Sequence, residues 1–180
     1  DFPEDLDCTS PQDDNEDFHS NNSVTSSMIN ITGKTIPNSQ IKIFKDGNVL
    51  IYTKSDNNGD FSQDIYGFFH GNYSFGLSTK AKDDSTTDII NFNVELKPGN
   101  YVSVSTIFVA PTIKINDKNN TKDNISIEGY GLANSKVEIN LFSQKEKQEK
   151  QKILIDTDKN GYYKYSLNIQ NLIEGEYKIF

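Results

Sequence analysis

The chain has 180 residues and contains no arginine, no tryptophan and a single cysteine, Cys8. One cysteine cannot form an intramolecular disulfide, so packing must stabilise the fold. No stretch approaches the roughly 18 consecutive apolar residues of a membrane span, and the sequence starts with DFPEDLDC, without the basic and apolar regions of a signal peptide. We therefore expect no direct membrane insertion by this chain, although the processed form of a secreted protein would share these features.

A surplus of positive charge is absent as well. The chain carries 18 lysines and 26 acidic residues, which gives a formal net charge of −8. Eight of the acids precede residue 18, and the remaining acids balance the lysines. Nucleic acids and anionic membrane surfaces bind proteins through basic faces, so we expect neither as a partner. The sequence predicts a neutral body that follows an acidic N-terminal extension, residues 1–25.

The chain has few groups suited to catalysis. Its two histidines, His19 and His70, belong to no recognisable catalytic motif. A hydrolytic site needs a nucleophile, a base and a group that orients the base, and a zinc site needs several Cys or His ligands at suitable spacing. We therefore predict that the protein is not an enzyme.

From Met28 onward, apolar and polar residues alternate in short runs separated by Asp-Gly, Asn-Gly and Pro-Gly turns. This pattern is typical of an antiparallel β-sandwich. Residues 143–152, SQKEKQEKQK, are the only helix-like stretch, and they lack the apolar face of a packed helix. We predict an exposed hairpin there.

The sequence contains an internal repeat. Residues 29–44, INITGKTIPNSQIKIF, match residues 125–140, ISIEGYGLANSKVEIN. Two further blocks match in the same order: the turn at 56–61 with 158–163, and the Gly-x-Tyr block at 71–75 with 175–179. Three blocks in one order predict two tandem copies of one β-domain. We place the first domain at residues 26–110 and the second at 111–180.

The two copies differ in length. Repeat 1 continues beyond its Gly-x-Tyr block through residues 89–109, whereas repeat 2 stops three residues after Tyr177. We therefore expect domain 2 to be incomplete at its C-terminus, either because the chain is cut short or because another chain donates the strand. A candidate donor segment combines apolar and small polar residues near the start of repeat 1. Its residues are Ser23, Val24, Met28, Ile29 and Ile31.

The repeated pattern resembles the tandem immunoglobulin-like domains of bacterial secreted and surface-anchored proteins. The residues that carry the resemblance are Gly33, Asn38, Ser39, Gly59, Phe61, Gly71 and Tyr73, with their partners in repeat 2. Transthyretin-like sandwiches share the turn and the Gly-x-Tyr block. The resemblance implies an all-β fold of two tandem immunoglobulin-like antiparallel β-sandwiches. It also implies an extracellular, cell-surface location and a structural or binding role.

Calcium is the one candidate cofactor. Asp56, Asn58 and Asp60 place oxygen-bearing side chains at alternate positions around Gly59, an arrangement that hard cations favour. Repeat 2 has Tyr162 where repeat 1 has Asp60, which favours an ordinary turn. The acidic run at residues 13–17 is a second candidate, and a solvated charge run explains it equally well.

We therefore predict a non-enzymatic extracellular structural protein, a cell-surface stalk, an adhesin or a filament subunit. Its expected partners are copies of itself or other surface proteins. The alternative is a carbohydrate- or protein-binding accessory module of a larger secreted protein, which would need an exposed aromatic platform. Tyr66, Phe68 and Phe69 form the one cluster that could supply it, although the core is the more expected place for such residues.

Overall fold

The computed structural model describes residues 26–116, 121 and 123–180, and within these residues the chain is all-β, without a helix. Alternating apolar residues and Gly-containing turns produce 13 strands. These are β1 (Ser27–Lys34), β2 (Gln40–Lys45), β3 (Asn48–Lys54), β4 (Asp60–Phe68), β5 (Gly71–Lys80), β6 (Ile90–Leu96), β7 (Tyr101–Phe108), β8 (Lys114–Ile115), β9 (Asn124–Tyr130), β10 (Lys136–Ser143), β11 (Gln148–Asp156), β12 (Tyr162–Asn168) and β13 (Tyr177–Ile179). The predicted acidic extension, residues 1–25, lies outside the described residues.

The first half of the chain forms two sheets, β4-β1-β7 and β3-β2-β5-β6. All strand pairs in these sheets are antiparallel except β1 with β7, which run parallel. The antiparallel prediction fails for this one pair because β7 follows β6, a strand of the opposite sheet, and not β1. A hairpin would force antiparallel pairing, whereas a connection that crosses between sheets does not.

Inward-facing side chains of both sheets meet in one apolar core, which makes the first half a β-sandwich. Its buried members are Ile29, Ile31, Ile41, Ile43, Phe61, Ile65, Phe68, Phe75, Leu77, Val94 and Leu96. Val102, Val104 and Ile107 of β7 pack against this core from the edge of the first sheet.

The second half repeats this arrangement with fewer strands. Its sheets are β12-β9-β8 and β11-β10-β13, and all of their pairs are antiparallel. The buried core contains Ile127, Val137, Ile139, Leu141, Ile153, Tyr163 and Leu167. The basic and acidic segment 143–152 forms the end of the β10–β11 hairpin, as the sequence predicted.

Equivalent backbone hydrogen bonds occur at matched positions of the two halves. The amide of Thr35 donates to the carbonyl of Gly59 at 2.8 Å, and Gly131 donates to Gly161 at 2.8 Å. Asn38 and Asn134 both adopt a positive φ, 53° and 48°. A Cβ on Gly59 would collide with the Thr35 carbonyl, and a Cβ on Gly161 with the Gly131 carbonyl. Both turns therefore require glycine.

The two buried cores lie on either side of the boundary that the sequence predicts at residues 110 and 111. At this boundary the Val109 amide donates to the Lys34 carbonyl, and the Thr112 amide donates to the Tyr130 carbonyl. The connection is thus bonded to β1 on one side and to β9 on the other. That each half folds independently stays a prediction.

Candidate functional site

In the first half, β6 and β7 close one side of the sandwich. Val94 of β6 lies opposite Tyr73 of β5, and Phe92 lies opposite Phe75. The rings of Phe75 and Phe92 are stacked, with centroids 5.9 Å apart and 19° between their planes. Edge-to-face contacts between Phe68 and both Tyr73 and Phe75 complete an aromatic cluster, and the Lys45 Nζ lies 4.8 Å from the centroid of the Tyr73 ring.

The same side of the second half is open. Among the described residues, no strands correspond to β6 and β7, and only the short β8 pairs with the edge of β9. The result is an apolar groove of about 410 Å³ between β13 and the β8–β9 edge. Its lining residues are Ile115, Ile125, Leu141, Leu167, Ile169, Leu172, Ile173, Glu174, Gly175, Tyr177 and Ile179.

The groove exposes apolar surface that a sandwich normally buries. Ile115 is 46% exposed and Ile173 is 54% exposed, and Ile113 extends the apolar surface along β8. Among the residues that the structure describes, Glu174 is the one charged residue that lines the groove. Exposed apolar patches of this kind are common at the contact sites of proteins.

The outer edge of β13 borders this groove. The Gln144 amide donates to the Glu176 carbonyl, and Asn140 and Phe180 exchange both of their backbone hydrogen bonds. Successive residues of a strand direct their backbone groups to opposite sides. Tyr177 and Ile179 therefore direct their N–H and C=O groups away from β10, towards the open side.

A local hydrogen bond fixes the start of β13. The Tyr177 hydroxyl donates to the Ile173 carbonyl at 2.8 Å, and in the first half the Tyr73 hydroxyl donates to the Phe69 carbonyl at 3.3 Å. The same hydroxyl-to-carbonyl bond, four residues back along the chain, therefore occurs in both halves. In the second half this bond holds Ile173 at the rim of the groove.

Tyr163 anchors the second core to the start of the second half. It is buried on β12, and its hydroxyl donates to the Thr112 carbonyl at 2.6 Å. Burial raises the pKa of Tyr163 to about 12, because the charged phenolate would lose its hydration. The corresponding residue of the first half is Phe61, which needs no such partner.

The structure places only part of the predicted donor segment, since Ser23 and Val24 lie outside the described residues. Met28, Ile29 and Ile31 belong to β1, which pairs with β4 on one side and β7 on the other. Ile29 and Ile31 are fully buried in the first core. They could act as a donated strand only if β1 left its own sheet, so this role stays a prediction.

The calcium candidates form a tight turn. One carboxylate oxygen of Asp56 accepts the amides of Asn58 and Asp60, both at 2.8 Å, and Asp60 forms an ion pair with Lys34 at 2.6 Å. Asp158 accepts the equivalent amides in the second half, where Tyr162 stands in the last position. No cluster of three His, Cys, Asp or Glu side chains suited to a metal occurs in the part of the chain that the structure describes. Backbone donors thus account for the role of Asp56.

The aromatic cluster Tyr66, Phe68 and Phe69 is divided between core and surface. Phe68 is 6% exposed and joins the first core, whereas Tyr66 and Phe69 are 69% and 59% exposed. Tyr66 lies in the irregular part of β4 opposite Met28, and Tyr101 of β7 lies on the other side of Met28. Two exposed tyrosines therefore flank Met28 on the outer face of the sheet.

Sequence reasoning did not identify the lining residues of the groove. Ile113, Ile115, Leu172 and Ile173 fall outside the matched blocks of the repeat. The sequence shows no segment of repeat 2 that matches β6 and β7. It does not show which residues form the apolar surface that such strands would cover. Aligning the partners of Phe92 and Val94, namely Phe75 and Tyr73, onto repeat 2 would have indicated Ile179 and Tyr177.

No family model matches the sequence, and no curated protein matches it. Among solved structures, the TIE protein of Bacillus anthracis is similar with a TM-score of 0.33 and 15% identity, over 87% of this chain and 31% of that chain. A DUF3823 family protein from Parabacteroides merdae has a TM-score of 0.28 and 13% identity, over 82% and 83% of the two chains. The fibronectin(III)-like modules of Clostridium thermocellum CbhA have a TM-score of 0.23 and 13% identity, over 88% and 80%.

This chain therefore spans about a third of the Bacillus anthracis protein's length. TM-scores below 0.5 do not establish a common fold, so the function must be argued from the residues themselves. Among the described residues, no helix is long and apolar enough to cross a membrane.

Proposed function

We propose that the protein is a non-enzymatic structural module of an extracellular assembly, a cell-surface stalk or a filament subunit. In this assembly a segment of a neighbouring polypeptide completes the second half. The observation that carries the proposal is the apolar groove between β13 and the β8–β9 edge, at the side that β6 and β7 close in the first half. The first half is complete in itself and serves as a spacer.

Two further observations support the proposal. The groove is lined almost entirely by aliphatic side chains and Tyr177, which suits it to apolar side chains and not to the polar groups of a substrate. Beside the groove, no described strand pairs with the outer edge of β13, which therefore offers backbone donors and acceptors to an extended segment. Together they favour contact with another polypeptide over catalysis.

The test is the association of the full chain as its concentration rises, measured by sedimentation velocity. We expect reversible association that the double variant Ile115→Ser and Ile173→Ser weakens, because these exposed groove residues would no longer bury apolar surface. The matched control is Leu154→Ser, since Leu154 is 60% exposed on β11 and lies outside the groove. A chain that stays a folded monomer at every concentration would contradict the proposal.

A second candidate function is an accessory binding module. The exposed tyrosines Tyr66 and Tyr101, on either side of Met28, favour it because exposed aromatic side chains offer flat apolar faces to a ligand. The test is affinity electrophoresis in soluble polysaccharides. Binding should be lost in Tyr66→Ala and Tyr101→Ala and retained in Tyr52→Ala, an exposed tyrosine on the other sheet. Equal behaviour of the three variants would count against this function.

A further inference from the structure

We infer that the outer face of the sheet β4-β1-β7 binds one neutral polysaccharide chain, and that a pocket at a bulge of β7, beside Phe108, holds one of its sugar units. The inference rests on the second candidate function and adds a site to it. Tyr66 and Tyr101 stand at one end of this face. The pocket lies at the other end, where Lys34 is opposite Phe108.

A β-bulge shapes the pocket. Ile31 of β1 pairs with Val104 of β7, and Gly33 pairs with Ile107, so β7 contains one residue more than β1 over this interval. Val104 and Ile107 both pack against the first core, and the two residues between them, 105 and 106, are both exposed. Bulges of this kind re-aim side chains beside active sites, and they also protect the edges of sheets.

The backbone at Thr106 is strained, since its φ is 63°. A β-branched residue is a marked outlier in this region, whereas glycine adopts it without steric cost. The other non-glycine residues with a positive φ among those described are asparagines, aspartates and a lysine, none of them β-branched. Protection of an edge needs only the bulge, which glycine would form with less strain. Because such strain clusters at functional sites, it indicates a role for the Thr106 side chain.

The pocket combines an aromatic ring with hydroxyl groups. Its volume of about 330 Å³ exceeds the roughly 150 Å³ of a cavity that holds one benzene, so a six-membered sugar ring fits. Phe108 is 55% exposed and offers a flat apolar face to such a ring. Thr32, Ser105 and Thr106 also line the pocket. Their hydroxyls both donate and accept hydrogen bonds, as the hydroxyl groups of a sugar require.

Charge favours a neutral ligand. Among the described residues, Lys34 is the one basic residue that lines the pocket, and its Nζ forms an ion pair with Asp60 at 2.6 Å. Farther along the same face, the Asn30 amide donates to Asp64 at 2.6 Å and to the Ser62 hydroxyl at 3.2 Å. An acidic ligand would meet these two carboxylates against a single lysine, and like charges in contact oppose binding.

The length of the face suits a chain of sugars and not a single one. Met28 lies beside Tyr101, and Lys34 lies opposite Phe108. Six residues of an extended strand separate Met28 from Lys34, which corresponds to about 20 Å. Asn30 and its hydrogen-bonded partners lie between the two ends. A chain laid along β1 would therefore meet aromatic rings at both ends and polar groups between them.

The test is affinity electrophoresis of the full chain in gels that contain one soluble polysaccharide each. Xyloglucan, galactomannan and dextran are the neutral probes, and polygalacturonate is the acidic probe. We expect retardation in at least one neutral gel and none in polygalacturonate. Migration unchanged in all three neutral gels, or retardation in polygalacturonate as strong as in any neutral gel, would overturn the inference.

Two variants test the pocket. Phe108→Ala should weaken binding by about tenfold, because the sugar ring loses its aromatic face. Thr106→Gly should weaken binding by about threefold, because one hydrogen bond is lost, without lowering the unfolding temperature, because the strain is removed. The matched control is Lys147→Gly, which replaces an exposed residue with a φ of 52° in the β10–β11 hairpin and should leave binding unchanged.

Failure of this inference differs from failure of the function on which it rests. If Phe108→Ala and Thr106→Gly bind like the parent chain while Tyr66→Ala and Tyr101→Ala lose binding, the pocket is rejected and the second candidate function stands. If no polysaccharide retards the parent chain, both are rejected. Association through the groove of the second half is measured separately, so the structural role proposed first depends on neither result.

Discussion

The two halves of the chain share their turns and differ in what covers one side of the sandwich. Equivalent hydrogen bonds fix the glycine turns, with the Gly59 and Gly161 carbonyls accepting from Thr35 and Gly131. The first core has eleven buried apolar residues and the second has seven among those described. Two of the additional residues, Val94 and Leu96, belong to β6. The sequence therefore specifies the turns of the repeat independently of the strands that cover one side of the sandwich.

This difference has a consequence for stability. Burial of apolar surface is the main favourable contribution to folding, and the second half leaves Ile115 and Ile173 largely in water. We expect the second half to be less stable than the first until another segment covers the groove. Each substitution below compares equivalent positions in the two halves.

The largest expected difference is between Phe75→Ala and Ile179→Ala. Phe75 is fully buried and stacked on Phe92, so its truncation should lower the free energy of unfolding of the first half by about 3–5 kcal/mol. Ile179 is only partly buried, so the equivalent change should cost about 1 kcal/mol. Native-state hydrogen exchange, read separately from the amides of each half, measures both values.

The comparison becomes sharper when the groove is filled. A synthetic peptide of residues 88–98, which contains the sequence of β6, should fill the groove and cover Ile179. With this peptide bound, the loss in free energy of unfolding caused by Ile179→Ala should rise towards the loss caused by Phe75→Ala. If Phe75→Ala and Ile179→Ala lowered the free energy of unfolding equally in the free chain, the groove would already be closed in solution. Leu154→Ala, at an exposed site outside the groove, should cost little in either state.

The shared turns should respond alike. Gly59 and Gly161 have φ values of 84° and 79°, and a Cβ at either position meets a backbone carbonyl. Gly59→Ala and Gly161→Ala should each destabilise their half by about 2 kcal/mol, within the usual range for a strained backbone. Thermal unfolding of each variant measures the effect. Gly47→Ala is a control for φ alone, because Gly47 has a φ of 80° with open space around it. A large inequality between the first two variants would show that the turns are not equivalent.

The sequence was sufficient to predict the elements that depend on local chemistry. Turn residues such as Asn38, Gly59 and their repeat partners determine backbone conformation within a few residues, so strands β1–β5 and their counterparts β9–β13 followed from the pattern. The structure differs where tertiary contacts decide. The parallel pairing of β7 with β1 depends on a crossing between sheets, and periodicity contains no information about it.

In the candidate site, too, local sequence patterns indicate some features and tertiary contacts decide the others. Repeat 2 shows no copies of β6 and β7 within the given sequence, but part of the groove lining, namely Ile115 of β8, Leu172 and Ile173, lies outside the repeated blocks. Met28, Ile29 and Ile31 have the alternation of a free strand, and the same alternation serves a central strand of the first sheet. Pattern alone does not distinguish a donated strand from a core strand.

The smallest expected effect at neutral pH is that of Tyr163→Phe, and it is accompanied by a pH dependence at Tyr163 of the second half. Tyr163 has a pKa raised to about 12 by burial, whereas an unfolded tyrosine titrates near 10. The folded state therefore keeps its proton while the unfolded state loses it. The stability that this group contributes is fully present below about pH 10 and falls between about pH 10 and pH 12, by roughly 1.4 kcal/mol per pH unit.

Tyr163→Phe, which installs the residue type of the equivalent Phe61, removes this dependence. At pH 7 the variant should be less stable by about 1 kcal/mol, because the Thr112 carbonyl loses its 2.6 Å hydrogen bond. Above pH 10 that deficit should shrink and then reverse, since only the parent chain is weakened by ionisation of Tyr163. Urea unfolding of both proteins from pH 7 to about pH 11 measures the crossover, and Phe61→Leu, which adds and removes no titrating group, should run parallel to the parent chain. If the free energies of unfolding of Tyr163→Phe and the parent chain ran parallel as pH rises, Tyr163 would reach solvent before the second half unfolds.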